Sequence, residues 1–512
     1  MKKYFLLLLM TLMAVSCSRK VEIKGKVTGG SPLERIEIIE AAGVGTLPLL
    51  NMAVSKDGSF AGDFDAPRDG MYIITYGGNM NMIYLKGGQK LNISGNYLDF
   101  PASFVINGEA KANNDFLKAA DTSFQTYATK IEVNKLLTMD EPKFIAEFNK
   151  IKGDMMKQID DAASKYKADS SAKNWKKEDV TAKLFGLLDA YEQNHAMASG
   201  NPGYKPSEKF QDLKKSITKN NDRLIRDIPI YRNYMLNSLN ADFQKFAQTK
   251  MQGKNPAQQP MVSEIFAEFL KTRKDLSQIS KDYFLSYVMA QSDINFKNDK
   301  NYDKIAKLID DNISDSELKS DLKKLQIVLM GYKAGDTPNL ALVKKDGSKT
   351  NLGDLKGKPT MVMFYASWNP NISMMTIPVL KEMSDFYKSK LNFAYVNLDD
   401  TKEQFLKTSG SLLKGFPGEH YYVEGGINSK AAKDFGLYAF KLPGFVLIGS
   451  DGKFVGRPFF NLGEPELTEE LQKLTGLKAP EVKTPFAPEV PKGETRAEQD
   501  KKIEESKEAK QK

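Results

Sequence analysis

The sequence predicts a multidomain chain of three unlike parts: an N-terminal antiparallel β-sandwich over residues 20–110, a central all-α region over 113–331 and a C-terminal α/β domain over 335–475. Three observations carry this. Up to about Gly108, apolar and polar residues alternate in short runs divided by Gly, Asn and Asp. From Asn113 to Gly331 the apolar residues recur at three- and four-residue steps. Beyond Gly335, short β-branched and aromatic runs again alternate with helical patterns. A chain of 512 residues is also too long for one core.

The first segment is a targeting sequence by its proportions. Lys2 and Lys3 precede an apolar run from Tyr4 to Val15, too short to stay in a bilayer as a permanent helix. Ala14-Val15-Ser16-Cys17 resembles a bacterial lipobox, which implies cleavage before Cys17 and acylation of its thiol. Two or three acyl chains, at about 0.8 kcal/mol per buried methylene, hold a soluble protein on a membrane. Residues 1–17 are therefore expected to be a lipoprotein signal with the lipidated Cys17, and the membrane a partner through that anchor. Ser18-Arg19-Lys20 carries no acidic export mark, so the periplasmic face of the outer membrane is favoured over the cell surface. Apolar content of 41% with 10% aromatics is that of a soluble protein, and the formal charge of +9 is spread along the chain. No nucleic-acid partner is expected from such a distribution.

In the β region, Val21 to Val27 and Arg35 to Ile38 alternate with period two. Asp57-Gly58, Gly77-Gly78 and Gly87-Gly88 are hairpin signals. The order I-x-G-x-V, D-G-x-F and then Leu91-Asn92-Ile93-Ser94-Gly95 resembles an N-terminal domain of unknown function found ahead of thioredoxin-like domains in envelope lipoproteins. Met80 and Met82 fall on one face of a strand, where a soft-metal pair and core filling compete and core filling is expected.

In the helical region, Phe144, Phe148, Ile151, Met155 and Ile159 form one core-facing stripe. Val180, Leu184, Leu187, Leu188 and Tyr191 form a second, and Ile265, Phe266, Phe269 and Leu270 a third. His195 ends a helical pattern, where a cation at a helix C-terminus is the expectation. With His420 it is one of only two histidines, so a His-rich zinc or di-iron site is excluded by counting. No cofactor or metal is called for. Gly43-Val44-Gly45 and Gly425-Gly426-Ile427-Asn428-Ser429-Lys430 lack the spacing of phosphate loops.

The C-terminal region turns on Lys358 to Val379. Thr360 to Tyr365 reads as a buried parallel strand, followed by a turn and a helical pattern containing Pro378. Leu352-Gly353-Asp354-Leu355-Lys356-Gly357-Lys358-Pro359 leads into that strand. Further on come the strand Phe393 to Leu398 with Asp399-Asp400 at its end, a short helix from Ala431 to Leu437, Leu442-Pro443-Gly444-Phe445-Val446-Leu447-Ile448, and the hairpin Asp451-Gly452-Lys453. In this order they resemble the thioredoxin fold of the TlpA/ResA and AhpC/TSA-related groups, from Gly335 to about Leu474. The resemblance implies that Pro378 kinks the first long helix, that Pro443 is cis, and that the loop at Leu442 and Pro443 faces the active-site turn and pairs with substrate polypeptide.

That family's turn is W-C-x-x-C, and here it is Trp368-Asn369-Pro370-Asn371-Ile372. Thiol exchange needs one thiolate to attack and a second to resolve the mixed disulfide. Asn and Ile do neither, and the one cysteine of the chain is Cys17. The expectation is a non-enzymatic, pseudo-oxidoreductase module whose groove between Trp368 and Pro443 binds polypeptide partners. Two alternatives stand beside it: a thiol-disulfide oxidoreductase in cell redox homeostasis, as the family would suggest, and glycan or ligand binding through the β or helical domain, which a pocket away from the third domain would favour. Residues 476–512, rich in Pro, Glu and Lys, are expected to be a disordered charged tail.

Overall fold

The computed structural model describes residues 19–30, 34–218, 221–253, 260–369, 371–372 and 376–478. Residues 1–18, with the expected signal and Cys17, Pro370 of the turn and residues 479–512 lie outside the described residues.

The N-terminal region is a sandwich of two four-stranded sheets. Its strands are β1 (Lys20–Thr28), β2 (Arg35–Glu40), β3 (Pro48–Ala53), β4 (Ser59–Asp65), β5 (Gly70–Tyr76), β6 (Asn79–Leu85), β7 (Lys90–Asn96) and β8 (Val105–Gly108). One sheet runs β4-β1-β7-β8 and the other β3-β2-β5-β6. Alternation puts Val21, Ile23, Ile36, Ile38, Leu50, Ile74 and Ile93 into the shared core. Gly77 and Gly78 close the β5–β6 hairpin at φ of 56° and 81°, a two-residue turn that disfavours side chains at both positions. One pairing departs from the antiparallel expectation: β1 and β7 run parallel. Alternation encodes which face is buried and carries no information on strand direction.

Met80 and Met82 correct another expectation. They are 62% and 53% exposed, on the outer face of the edge strand β6, and fill no core.

The central region is helical and shares one large apolar core. Its long helices are α1 (Lys111–Ala128), α2 (Glu141–Tyr166) and α3 (Ser170–Ala198), and shorter ones, named by their residues, follow as far as Ser316–Met330. All five residues of the first predicted stripe are buried on α2, and Phe144 stacks on Tyr191 at 3.7 Å between ring centres. His195 differs from expectation. It sits in the last turn of α3 but is buried, stacked on Tyr191 and edge-on to Tyr204, with Nδ1 2.7 Å from the Leu137 carbonyl. Aromatic packing and that carbonyl, not a solvated helix end, account for it.

The C-terminal region is built on β9 (Ala341–Lys344), β10 (Lys349–Asn351), β11 (Thr360–Tyr365), β12 (Asn392–Asn397), β13 (Glu419–Tyr422) and β14 (Gly444–Ile448). The sheet order is β10-β9-β13-β12-β11-β14, with β11, β12 and β13 parallel and β14 antiparallel to β11. Every residue of β11 is buried, as a central strand covered on both faces requires. The helices α4 (Ile377–Tyr387), α5 (Lys402–Ser411) and α6 (Lys430–Asp434) follow β11, β12 and β13. Pro378 is the second residue of α4; Asn371, Ile372 and Thr376 before it are also helical, and residues 373–375 lie outside the described residues. The described residues from Gly463 onward, with the helix Pro465–Thr475, belong to a second unit. No helix among the described residues is long and apolar enough to cross a membrane.

Candidate functional site

The carboxyl ends of β11 and β12 bring the site together. β11 delivers Ser367, Trp368 and Asn369, and β12 delivers Asp399 and Asp400. Asp399 is fully buried, and its carboxylate accepts the Ser367 N–H at 2.6 Å, the Asn397 amide at 2.8 Å and the Thr408 hydroxyl at 3.1 Å. A carboxylate so supplied with donors is a structural pin for the turn.

Asn369 is buried and spends its side chain on two bonds. Its Oδ1 accepts the Asn371 N–H at 2.9 Å, and its Nδ2 donates to the Leu442 carbonyl at 2.8 Å. The Leu442–Pro443 peptide is cis, and Leu442 donates its own N–H to the Ala439 carbonyl at 3.2 Å. The turn and the proline loop are therefore joined by an amide, and both main-chain groups of Leu442 are engaged within the chain. Ile372 is buried as well, its N–H donating to the Asn369 carbonyl at 3.3 Å. Trp368, Asn369, Asn371, Ile372, Leu442 and Pro443 thus meet at one place, whereas Pro370 and Cys17 lie outside the described residues.

Trp368 is half-buried, its indole Nε1 enclosed without a hydrogen-bond partner. Over its ring, 4.2 Å from the centre, lies the guanidinium of Arg35 from β2. Arg35 forks onto Asp400, with Nη1 to Oδ2 at 3.0 Å and Nη2 to Oδ1 at 2.7 Å. Its Nε donates to Asn51 Oδ1 and its Nη2 also to the Asn51 carbonyl at 3.2 Å. Asn51, on β3, gives its N–H to Asn428 Oδ1 at 2.8 Å and takes Asn428 Nδ2 on its carbonyl at 2.6 Å. Asn428 is placed by a left-handed Gly426, where any Cβ would fall 2.2 Å from the Asp399 carbonyl oxygen. Lys433 donates to the Leu49 carbonyl, and burial pushes its ammonium pKa down. Burial raises the Glu37 carboxyl beside this cluster, against the opposing pull of the Asn51 amide and Arg35.

Sequence reasoning noticed Asp400 only as the end of a strand and missed Arg35, Asn51, Asn428 and Lys433. Their partners lie more than 360 residues away in the chain, and no local pattern announces such a pairing. Chemically, the assembled turn offers a neutral amide and a hydrocarbon where an exchange reaction needs thiols. No cluster of three or more His, Cys, Asp or Glu fit to hold a metal occurs among the described residues.

Residues 357–454 match the family model described as thioredoxin-like. The thiol-disulfide oxidoreductase ResA of Bacillus cereus (strain ZK / E33L) is 27% identical over 158 residues, which covers 30% of this chain and 83% of that protein. The solution structure of a thiol:disulfide interchange protein from Bacteroides sp. is 17% identical, covering 28% of this chain and 90% of its own, with a TM-score of 0.24. The thioredoxin domain of a thiol-disulfide oxidoreductase from Bacteroides vulgatus is 16% identical, covering 28% and 99%, with a TM-score of 0.23. By the family match, the C-terminal part of this chain is a thioredoxin-like domain.

Proposed function

We propose that the thioredoxin-like domain is non-catalytic and acts as a binding and scaffolding module for polypeptide, within a lipoprotein held in the cell envelope through Cys17, on the periplasmic side of the outer membrane. The observation that carries this reading is the bond from Asn369 Nδ2 to the Leu442 carbonyl. An amide locked onto the proline loop gives that position a fixed structural task, and neither Asn369 nor Ile372 supplies a nucleophile. The same bond engages the Leu442 carbonyl, so polypeptide is held by the wider face that already grips β3 and Arg35. The relatives' names favour an oxidoreductase, and the test separates the two. The soluble Cys17→Ser protein should leave insulin reduction by dithiothreitol at its uncatalysed rate; acceleration like that of a thiol-bearing thioredoxin overturns the proposal. Radiolabelled palmitate should enter the wild-type chain and not Cys17→Ser.

A second reading, ligand binding by the sandwich, is favoured by an open cavity of about 530 Å³ on the outer face of the β4-β1-β7-β8 sheet. Its lysines at positions 20 and 90 are paired with Asp63 and Glu22 across that face. Binding of neutral oligosaccharides lost in Asn92→Trp, which would fill the cavity, would support it; unchanged binding, or none, would remove it.

A further inference from the structure

The contact around Trp368 has the chemistry of a recognition site. The thioredoxin-like domain supplies a flat indole face, a carboxylate at Asp400 set to take two parallel N–H donors, and the Asn428 amide, which reads both main-chain groups of one strand residue. Lys433 takes the carbonyl two residues earlier, at Leu49. Alternate residues of an extended strand are thus read through the main chain, which is indifferent to side chains. On the neighbouring strand β2, where Arg35 lies opposite Ala53 of β3, one position is read through its side chain, and that side chain is arginine, buried to 7% exposure in its ion pair. A planar guanidinium stacks on an aromatic face and forks onto a carboxylate at once. An ammonium does neither.

We infer that the Trp368 face of the thioredoxin-like domain is an arginine slot: Trp368 and Asp400 hold the guanidinium of an extended polypeptide, Arg35 fills the slot in cis, and an arginine from another peptide takes the same place when Arg35 is withdrawn. This rests on the polypeptide-binding reading above and names its ligand class, an arginine-bearing extended segment.

The test uses the full soluble chain carrying Trp175→Phe, which leaves Trp368 as the sole tryptophan of the two in the sequence. With Arg35 present, acrylamide should quench Trp368 weakly, and added Nα-acetyl-arginine amide should change nothing. Arg35→Ala should raise quenching about threefold or more, and the arginine amide should restore shielding, with the lysine amide at least about tenfold weaker. Asp400→Asn in the same background should abolish the restoration. Arg35→Lys keeps the charge while losing the fork and the stack; should the alanine variant fail to fold, it gives the same reading. Unchanged quenching on loss of Arg35, equal action of the two amides, or restoration that survives Asp400→Asn would each overturn the slot. Insulin reduction by the protein would remove the non-catalytic reading and leave the slot standing, so the two failures are distinguishable.

Discussion

Both edge strands of the β3-β2-β5-β6 sheet are read by an asparagine from another part of the chain, and the settings differ. On β6, Asn114 of α1 accepts the Tyr84 N–H at 2.8 Å and donates to the Tyr84 carbonyl at 2.9 Å. On β3, Asn428 does the same to Asn51. Around Tyr84 the contact is largely apolar: Val44 and Tyr84 belong to the helical core, with Leu47 and Met71 against it. Arg68 adds a bond to the Tyr283 hydroxyl at 3.1 Å and an ion pair to Glu317 at 3.1 Å. Around Asn51 the contact is polar and turns on Arg35 and Asp400. One device, an amide matched to a strand's main chain, therefore serves a seam continuous with a core and a seam made of charge. The first is inseparable from folding, and the second resembles the polar interfaces across which domains move.

Four substitutions test that contrast, and the largest effect belongs to the apolar seam. Tyr84→Ala should cost about 3–5 kcal/mol in urea unfolding, as aromatic truncations in cores do. A loss below about 1 kcal/mol would mean that the seam is no part of the core. Asn114→Ala leaves two main-chain groups of β6 without partners and should cost about 1–3 kcal/mol. Asn428→Ala leaves the Asn51 carbonyl its second donor, Arg35 Nη2, and should cost about 1 kcal/mol or less, and equal losses would erase the distinction. Inside the thioredoxin-like domain, Asn369→Ala should cost about 1–3 kcal/mol by orphaning the buried Leu442 carbonyl, with the Asn428→Ala protein as the reference measurement.

The last test is a pH dependence. Burial, aided by nearby Lys345, pulls the His420 imidazole from 6.5 down to about 4. The unfolded chain therefore takes the proton first: the contribution to stability is present above about pH 6.5 and is lost as the pH falls towards 4. His420→Gln should flatten the fall in melting temperature across that window. An unchanged slope would assign the fall to other groups.

Much of this was legible. The three stripes of the helical region and the ordered motifs from Gly335 onward gave the element types, because burial on one face and turn residues at fixed offsets are local properties of the chain. The residue types of the turn were legible too, since Asn369 and Ile372 stand in the text of the sequence. What Asn369 does was not, because its partner Leu442 is 73 residues away. Arg35 read as the solvent face of an alternating strand, and nothing near it points to Asp400. Met80 and Met82 satisfied the alternation equally well facing in or out, and only the sandwich's geometry decided for out. His195 carried the composition of a helix end; Tyr191, one turn before it on the same helix, was within reach of the pattern, while Tyr204 and the Leu137 carbonyl meet it only in three dimensions.

The paired asparagines at 114 and 428 have one more consequence. A sheet whose two borders are each closed by an amide from elsewhere has its guards outside the segment they protect. Residues 19–110 expressed alone would lose both guards, baring two ladders to a second copy of themselves, and should self-associate rather than persist as a monomer.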